Sequence, residues 1–184
     1  MYKILTLNCL ISAYTMSALY LDGVKMGDYQ ATALGLGISF LFMMLSFSKP
    51  LKSLYKEAPP TSIFHWSLVI SVSVQFIVHL SLLIFFVELC EPYIDRENDE
   101  SLIPDGEFKP NLKNSVMFIY QWWLQTTVIF VNYSGRPFME AISENTKLKR
   151  MLFGMFFVAT LCIFDASDEL RETLQLVPFP NVDF

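Results

Sequence analysis

Phe64-His65-Trp66-Ser67-Leu68-Val69-Ile70-Ser71-Val72-Ser73-Val74-Gln75-Phe76-Ile77-Val78-His79-Leu80-Ser81-Leu82-Leu83-Ile84-Phe85-Phe86-Val87 crosses the middle of the chain without one Asp, Glu, Lys or Arg. An α-helix needs about 20 mostly apolar residues to cross a hydrocarbon layer of about 30 Å, and this run exceeds that length. A soluble helix would instead set an apolar stripe against a charged face. Working outward, four more windows share the property, so spans are expected at 4 to 22, 29 to 47, 64 to 90, 115 to 133 and 148 to 165. The fifth is the shortest, its apolar run reaching only from Met151 to Phe164. Lys and Arg are missing from the window interiors and crowd into the gaps, as expected where an ionised group at the bilayer centre costs about 3 kcal/mol or more. The composition agrees: 53% of the 184 residues are hydrophobic, 17% are charged, and the mean hydropathy is +0.42. Unpaired backbone groups are not tolerated in lipid, and no alternating segments of barrel type occur. The expected fold class is therefore all-α, a polytopic membrane bundle of five transmembrane helices.

Basic residues in the short flanks orient such a bundle. Lys3, Lys49, Lys52, Lys56, Arg136, Lys147, Lys149 and Arg150 share the side of the N-terminus, eight of the 13 basic residues. That side is expected to be cytosolic. Only Glu57, Glu140 and Glu144 of the 18 acids fall there. With five spans, the tail over 166 to 184 ends on the luminal side, where its acidic start followed by Val177-Pro178-Phe179-Pro180 reads as a connection with one helical turn. Met1-Tyr2-Lys3 leads into an apolar stretch without a small-residue cleavage site, so the first window reads as a retained span. The short 22 to 28 turn predicts a tight antiparallel hairpin of the first two helices. The 91 to 113 loop is long and acidic, with Asp95, Glu97, Asp99, Glu100, Asp105 and Glu107, and is expected to be the most mobile linker.

Several function classes drop out. A pI near 5.0 offers no basic face for nucleic acid. Cys9, Cys90 and Cys162 are odd in number and unpaired in spacing, and read as small buried hydrophobes. There is no phosphate-binding loop, paired Cys/His spacing, nucleophile elbow or Asp-Lys-Thr-Gly-Thr phosphorylation motif, so no catalytic site, metal site or cofactor is expected in this chain.

Polar residues inside spans are the candidates for a transport path, because they are costly unless they face protein or water. Asn8, Ser12 and Thr15 share one face of the first helix; Ser71, Gln75 and His79 form a stripe on the third; Gln121, Gln125 and Asn132 line the fourth. Asn8, Ser12, Thr15, Gln75, His79, Gln121 and Gln125 are taken as candidates for lining a substrate cavity. The plainer reading is interhelical hydrogen bonding, worth about 0.6 kcal/mol per contact. A lone histidine such as His79 is also more often a packing residue than a titrating one. Ala31, Ala33, Gly35, Gly37 and Ser39 give the second helix small-residue spacings suited to close packing. Trp66 and Tyr133 suit interfacial anchoring, while Trp122 and Trp123 read as packing or lipid-facing elements. Lys49, Lys52 and Lys56 serve orientation or anionic headgroups. Asn132-Tyr133-Ser134 matches a glycosylation acceptor, but at the membrane edge assigned to the cytosol it would go unused.

Certain strings resemble a known family. They are Leu7-Asn8-Cys9-Leu10-Ile11-Ser12-Ala13-Tyr14, Leu19-Tyr20-Leu21-Asp22-Gly23-Val24-Lys25, Gln30-Ala31-Thr32 and Ser48-Lys49-Pro50-Leu51-Lys52. Further on come Gln75-Phe76, Val78-His79, Asn132-Tyr133, Pro137-Phe138-Met139-Glu140 and Glu144-Asn145. Together they resemble the membrane region of type-V, subgroup A, P-type ATPases, the endoplasmic-reticulum helix dislocases also labelled cation-transporting ATPases. The resemblance implies that the five helices match the fifth to ninth spans of a ten-helix transport domain, a C-terminal membrane portion. It implies ATP and Mg2+ for the full-length pump, whose cytosolic domains and other spans are partners of this part. It also implies the endoplasmic-reticulum bilayer as location and mislocalised transmembrane helices as substrates. Asn8, Ser12 and Thr15 would then sit on the helix tied to the phosphorylation domain. A non-enzymatic five-span scaffold or accessory protein is the alternative, and an ion channel or secondary carrier a third reading.

Overall fold

The computed structural model describes residues 1–54, 56, 62–94, 100–102 and 107–180. Asp95, Glu97, Asp99 and Asp105 of the acidic loop lie outside them. The described residues form α1 (Tyr2–Leu21), α2 (Asp28–Ser46), α3 (Trp66–Cys90), α4 (Leu112–Asn132), α5 (Thr146–Ile163) and the short α6 (Asp168–Thr173). Each expected window holds one helix, displaced by a few residues at its ends. No strand occurs among the described residues; a single isolated bridge joins Pro50 to Met139.

Side-chain caps set several starts, supplying acceptors that the first turn lacks. Asn111 accepts from the amide of Asn114 at 2.7 Å, and Asn145 from that of Leu148 at 2.9 Å. Ser167 does the same for α6 through Leu170, at 3.4 Å. At the start of α2, the amide of Gly27 donates to the Gln30 side chain at 3.2 Å.

α4 is the hub. Its buried residues run from Lys113 to Ile129 on nearly every side of the helix. α1 packs on α3 and α4, whereas α2 packs on α4 and α5. The expected tight α1–α2 hairpin is therefore not formed: the two helices barely touch, because α4 stands between them. Their turn is held instead by neighbours. Gly23 has φ of 72°, and a Cβ there would meet the Leu102 carbonyl oxygen at 2.3 Å, so the described part of the acidic loop lies directly over the turn. Phe108 presses on Gly27 in the same way.

Among the described residues, α1, α2 and α3 are long and apolar enough to cross a membrane. The expectation of five such helices is met in helix number but not in apolarity. α4 carries Lys113, Asn114, Gln121 and Gln125, all buried in the bundle, and the first turn of α5 carries Lys147, Lys149 and Arg150. The tail is more structured than a loop with one helical turn. After α6, the backbone amide of Val177 donates to Ser115 Oγ at 2.8 Å, and Leu174 joins Leu34, Phe118, Ile119 and Cys162 in a second apolar cluster. Arg171 pairs with Asp165 at 2.6 Å and Asp168 at 2.7 Å. Two cysteines are buried as expected, but Cys9 is exposed. Of the small residues on α2, Gly37 is used for packing, against Met155 and Trp122, whereas Gly35 faces open space.

Candidate functional site

Polar side chains inside the bundle fall into three levels along its length. The middle level joins α1, α3 and α4. Gln121 Nε2 donates to Ser12 Oγ at 2.9 Å, which sets an antiparallel register for α1 and α4. One turn away on each helix, Asn8 and Gln125 stand level with each other. Between α3 and α4, Gln75 and Asn132 exchange amide hydrogen bonds at 3.0 and 2.7 Å. The Tyr120 hydroxyl donates to the His79 carbonyl oxygen at 2.6 Å. Thr15 is 0% exposed.

Within this seam, Asn8 Oδ1, Thr15 Oγ1, His79 Nδ1, Gln121 Oε1 and Gln125 Oε1 are buried without a hydrogen-bond partner. All five belong to the seven residues expected from sequence, and the remaining two, Ser12 and Gln75, are bonded within the same seam. A buried polar atom left unpaired costs about 1–3 kcal/mol, so these five positions are where water or another polar group would be stabilised most. A concave surface of about 680 Å³ lies elsewhere, at the α1–α2 turn beside Met16, Tyr20 and Met26.

The other two levels were not singled out as sites from sequence. At the end holding Lys49, Ser48 Oγ shares a hydrogen bond with Tyr133 Oη at 2.8 Å and accepts one from Asn145 Nδ2 at 2.9 Å. The Tyr133 hydroxyl reaches the Glu140 carbonyl oxygen at 3.0 Å. Backbone bonds from Glu140 to Lys49 and from Leu51 to Phe138, both 2.9 Å, complete a clasp between the two loops. Gly135 is required here, since a Cβ would fall 1.9 Å from the Glu140 carbonyl oxygen. Asn132 is engaged by Gln75, so the glycosylation pattern it begins is tied into the fold.

At the opposite end, Lys113 is 1% exposed and its Nζ donates to Asp22 at 2.6 Å and Glu91 at 3.1 Å. Beside it, Gln30 Nε2 donates to Asn114 Oδ1 at 2.8 Å and to the Leu174 carbonyl oxygen at 3.0 Å. Asn114 Nδ2 donates to the Lys25 carbonyl oxygen at 2.7 Å. Lys113 escaped notice because a charge at a window's edge reads as a boundary, and only its partners reveal that it is buried. One signal was available: many residues of the strings quoted for the family resemblance, from Asp22 to Asn145, meet in these three levels. Among the described residues, no group of His, Cys, Asp or Glu is arranged to hold a metal ion.

No protein-family profile matches the chain. Individual relatives do. It is 41% identical over 179 residues to the "Endoplasmic reticulum transmembrane helix translocase spfA" of Aspergillus fumigatus, covering 97% of this chain and 14% of that protein. It is 41% identical over 190 residues to the "Endoplasmic reticulum transmembrane helix translocase" of Saccharomyces cerevisiae, covering 98% and 15% respectively. A protein of Arabidopsis thaliana named as a probable manganese-transporting ATPase is 40% identical over 181 residues, again 98% and 15%. The chain therefore spans about a seventh of the length of the curated relatives it matches. With 40–41% identity over 96–98% of its length to these relatives, the chain belongs to the type-V, subgroup A, P-type ATPase family.

Proposed function

We propose that the chain is a membrane-domain portion of an ATP-driven pump that extracts mislocalised transmembrane helices from the endoplasmic-reticulum membrane, with the α1–α3–α4 seam as part of the substrate path. All five long helices then cross the bilayer, the Lys49 end facing the cytosol and the tail facing the lumen. α4 and α5 cross despite their polar content because neighbours shield the amides of α4, and the basic residues of α5 sit in its first turn at the membrane edge. ATP and Mg2+ act on other parts of the pump.

The observation that carries the reading is the set of five unpartnered polar atoms spread along the α1–α3–α4 seam. Lipid tails offer them no hydrogen bonds, so a passing polar group or the water accompanying it meets acceptors already in place. The names of the translocase relatives supply the substrate class, and nothing favours a motorless scaffold. The test uses the full-length pump carrying this segment, in vesicles that hold a labelled mis-inserted reporter helix. Thr15→Val with Gln125→Leu removes two of the unpartnered atoms without breaking any bond described here. ATP-dependent release of the reporter should fall on the order of tenfold, the effect of about 1.4 kcal/mol on a barrier. Unchanged release from a pump that still hydrolyses ATP would sink the seam as a substrate path.

A further inference from the structure

The Lys49 end carries a surface feature that neither the clasp nor the seam uses. Where the start of α5 meets the end of α4, Phe130, Leu152, Phe153 and Phe156 wall an apolar groove of about 330 Å³, and Lys149 stands in its lining. Phe153 is 69% exposed. Phe130 and Phe156 meet edge to face at 6.2 Å, which keeps the far wall in place. From Lys149 to Phe156 the groove follows α5 for about 10 Å at the rise of an α-helix. A cation thus stands at the aqueous mouth, with aromatic walls leading towards the membrane interior.

The charge around the mouth is one-sided. Lys149 and Arg150 have no ion-pair partner among the described residues, and Lys147 lies over the Phe47 ring at 4.6 Å from its centroid. The neighbouring acid, Glu144, is already engaged by Arg136 at 3.4 Å and by the amide of Ala141 at 2.9 Å. The amino end of α5 adds its partial positive charge. A length of apolar wall ending in unpaired cations has the polarity of one ligand class: a lipid with acyl chains and an anionic headgroup.

We propose that this groove binds an anionic phospholipid, its phosphate held by Lys149 and Arg150 and an acyl chain laid along Phe153 and Phe156. The inference rests on α5 crossing the membrane, as in the function proposed above, with its basic turn at the leaflet where anionic lipids concentrate. Such a lipid would fasten α5 to the leaflet on the side of the clasp.

The full chain, reconstituted in vesicles of phosphatidylcholine with phosphatidylserine, tests this by native mass spectrometry of the lipid retained on extraction. Phosphatidylserine should be retained in preference to phosphatidylcholine. Lys149→Glu with Arg150→Glu should lower that preference by about thirtyfold, and Lys149→Gln by about fivefold, following the contribution each basic group makes near an anionic surface. Ser53→Glu, which adds a carboxylate at the same end but outside the groove, should leave it unaltered. No preference in the unaltered chain, an equal loss with Ser53→Glu, or displacement of the lipid by inorganic phosphate would each overturn the proposal. A cross-linkable phosphatidylserine should mark Phe153 or Phe156; marking elsewhere, as when another protein segment covers the groove, would overturn it too. Labelling Lys149→Cys and Asp165→Cys separately with an impermeant reagent, in a background where Cys9, Cys90 and Cys162 are replaced by Ala, decides whether α5 spans, so failure of that reading is distinguishable from failure of the lipid site.

Discussion

α3 and α4 are neighbours built on opposite rules. α3 is the longest and most apolar helix, yet only Leu83 and Cys90 of it are buried, and Ile70, Ile77, Val78, Ile84 and Phe85 point outwards. α4 is interrupted by Lys113, Asn114, Gln121 and Gln125, yet these are among the most buried side chains of the molecule. In water this arrangement would be inverted. Around a bundle in lipid it follows from solvation: hydrocarbon accepts the apolar face of α3 at no loss, while the amides of α4 must be enclosed by protein. Apolar residues are therefore found both facing outwards on α3 and inside the bundle on α4, whereas the amides of Asn114, Gln121 and Gln125 on α4 are found only inside.

The sharpest way to break this comparison is to truncate one residue on each helix. Phe118→Ala on α4 removes a ring that is 1% exposed and should destabilise the reconstituted chain by about 3–5 kcal/mol. Ile77→Ala on α3, at 60% exposed, should change stability by less than about 0.5 kcal/mol. Equal effects in steric-trapping or denaturant measurements would mean that the outward face of α3 is covered in the protein.

Next in size is the charge buried at the start of α4. Lys113→Met keeps the volume but leaves Asp22 and Glu91 facing a neutral stem. The expected loss is about 3 kcal/mol, at the low end for a broken buried pair because both carboxylates are partly exposed. Asp22→Asn with Glu91→Gln in the Lys113→Met background should recover part of it. A melting temperature unchanged by Lys113→Met would show that the ion cluster does not hold α1, α4 and the loop together.

The smallest effect lies where the two helices meet. Gln75→Leu and Asn132→Leu should each cost about 1 kcal/mol, and a double-mutant cycle should give a coupling of about 0.6–1.7 kcal/mol. A coupling indistinguishable from zero would place the reciprocal amide pair outside the forces joining α3 to α4.

Local chemistry made much of this readable in the chain alone. Helix positions follow from hydropathy, because a window of apolar residues has one stable backbone state in lipid whatever surrounds it. The faces of α1 and α4 carrying Asn8, Ser12, Thr15, Gln121 and Gln125 follow from the 3.6-residue turn. What no local rule contains is which face meets which. That α4 enters between α1 and α2, that Gln121 finds Ser12 while Gln125 finds no partner for its oxygen, and that Lys113 is enclosed rather than marking an edge all depend on partners from other elements, Ser12 lying 109 positions from Gln121 and Asp22 lying 91 from Lys113. Amides and charges are satisfied by partners brought from elsewhere in the chain, so their roles belong to the tertiary structure, whereas the apolar residues that face lipid need no partner and were determined by sequence.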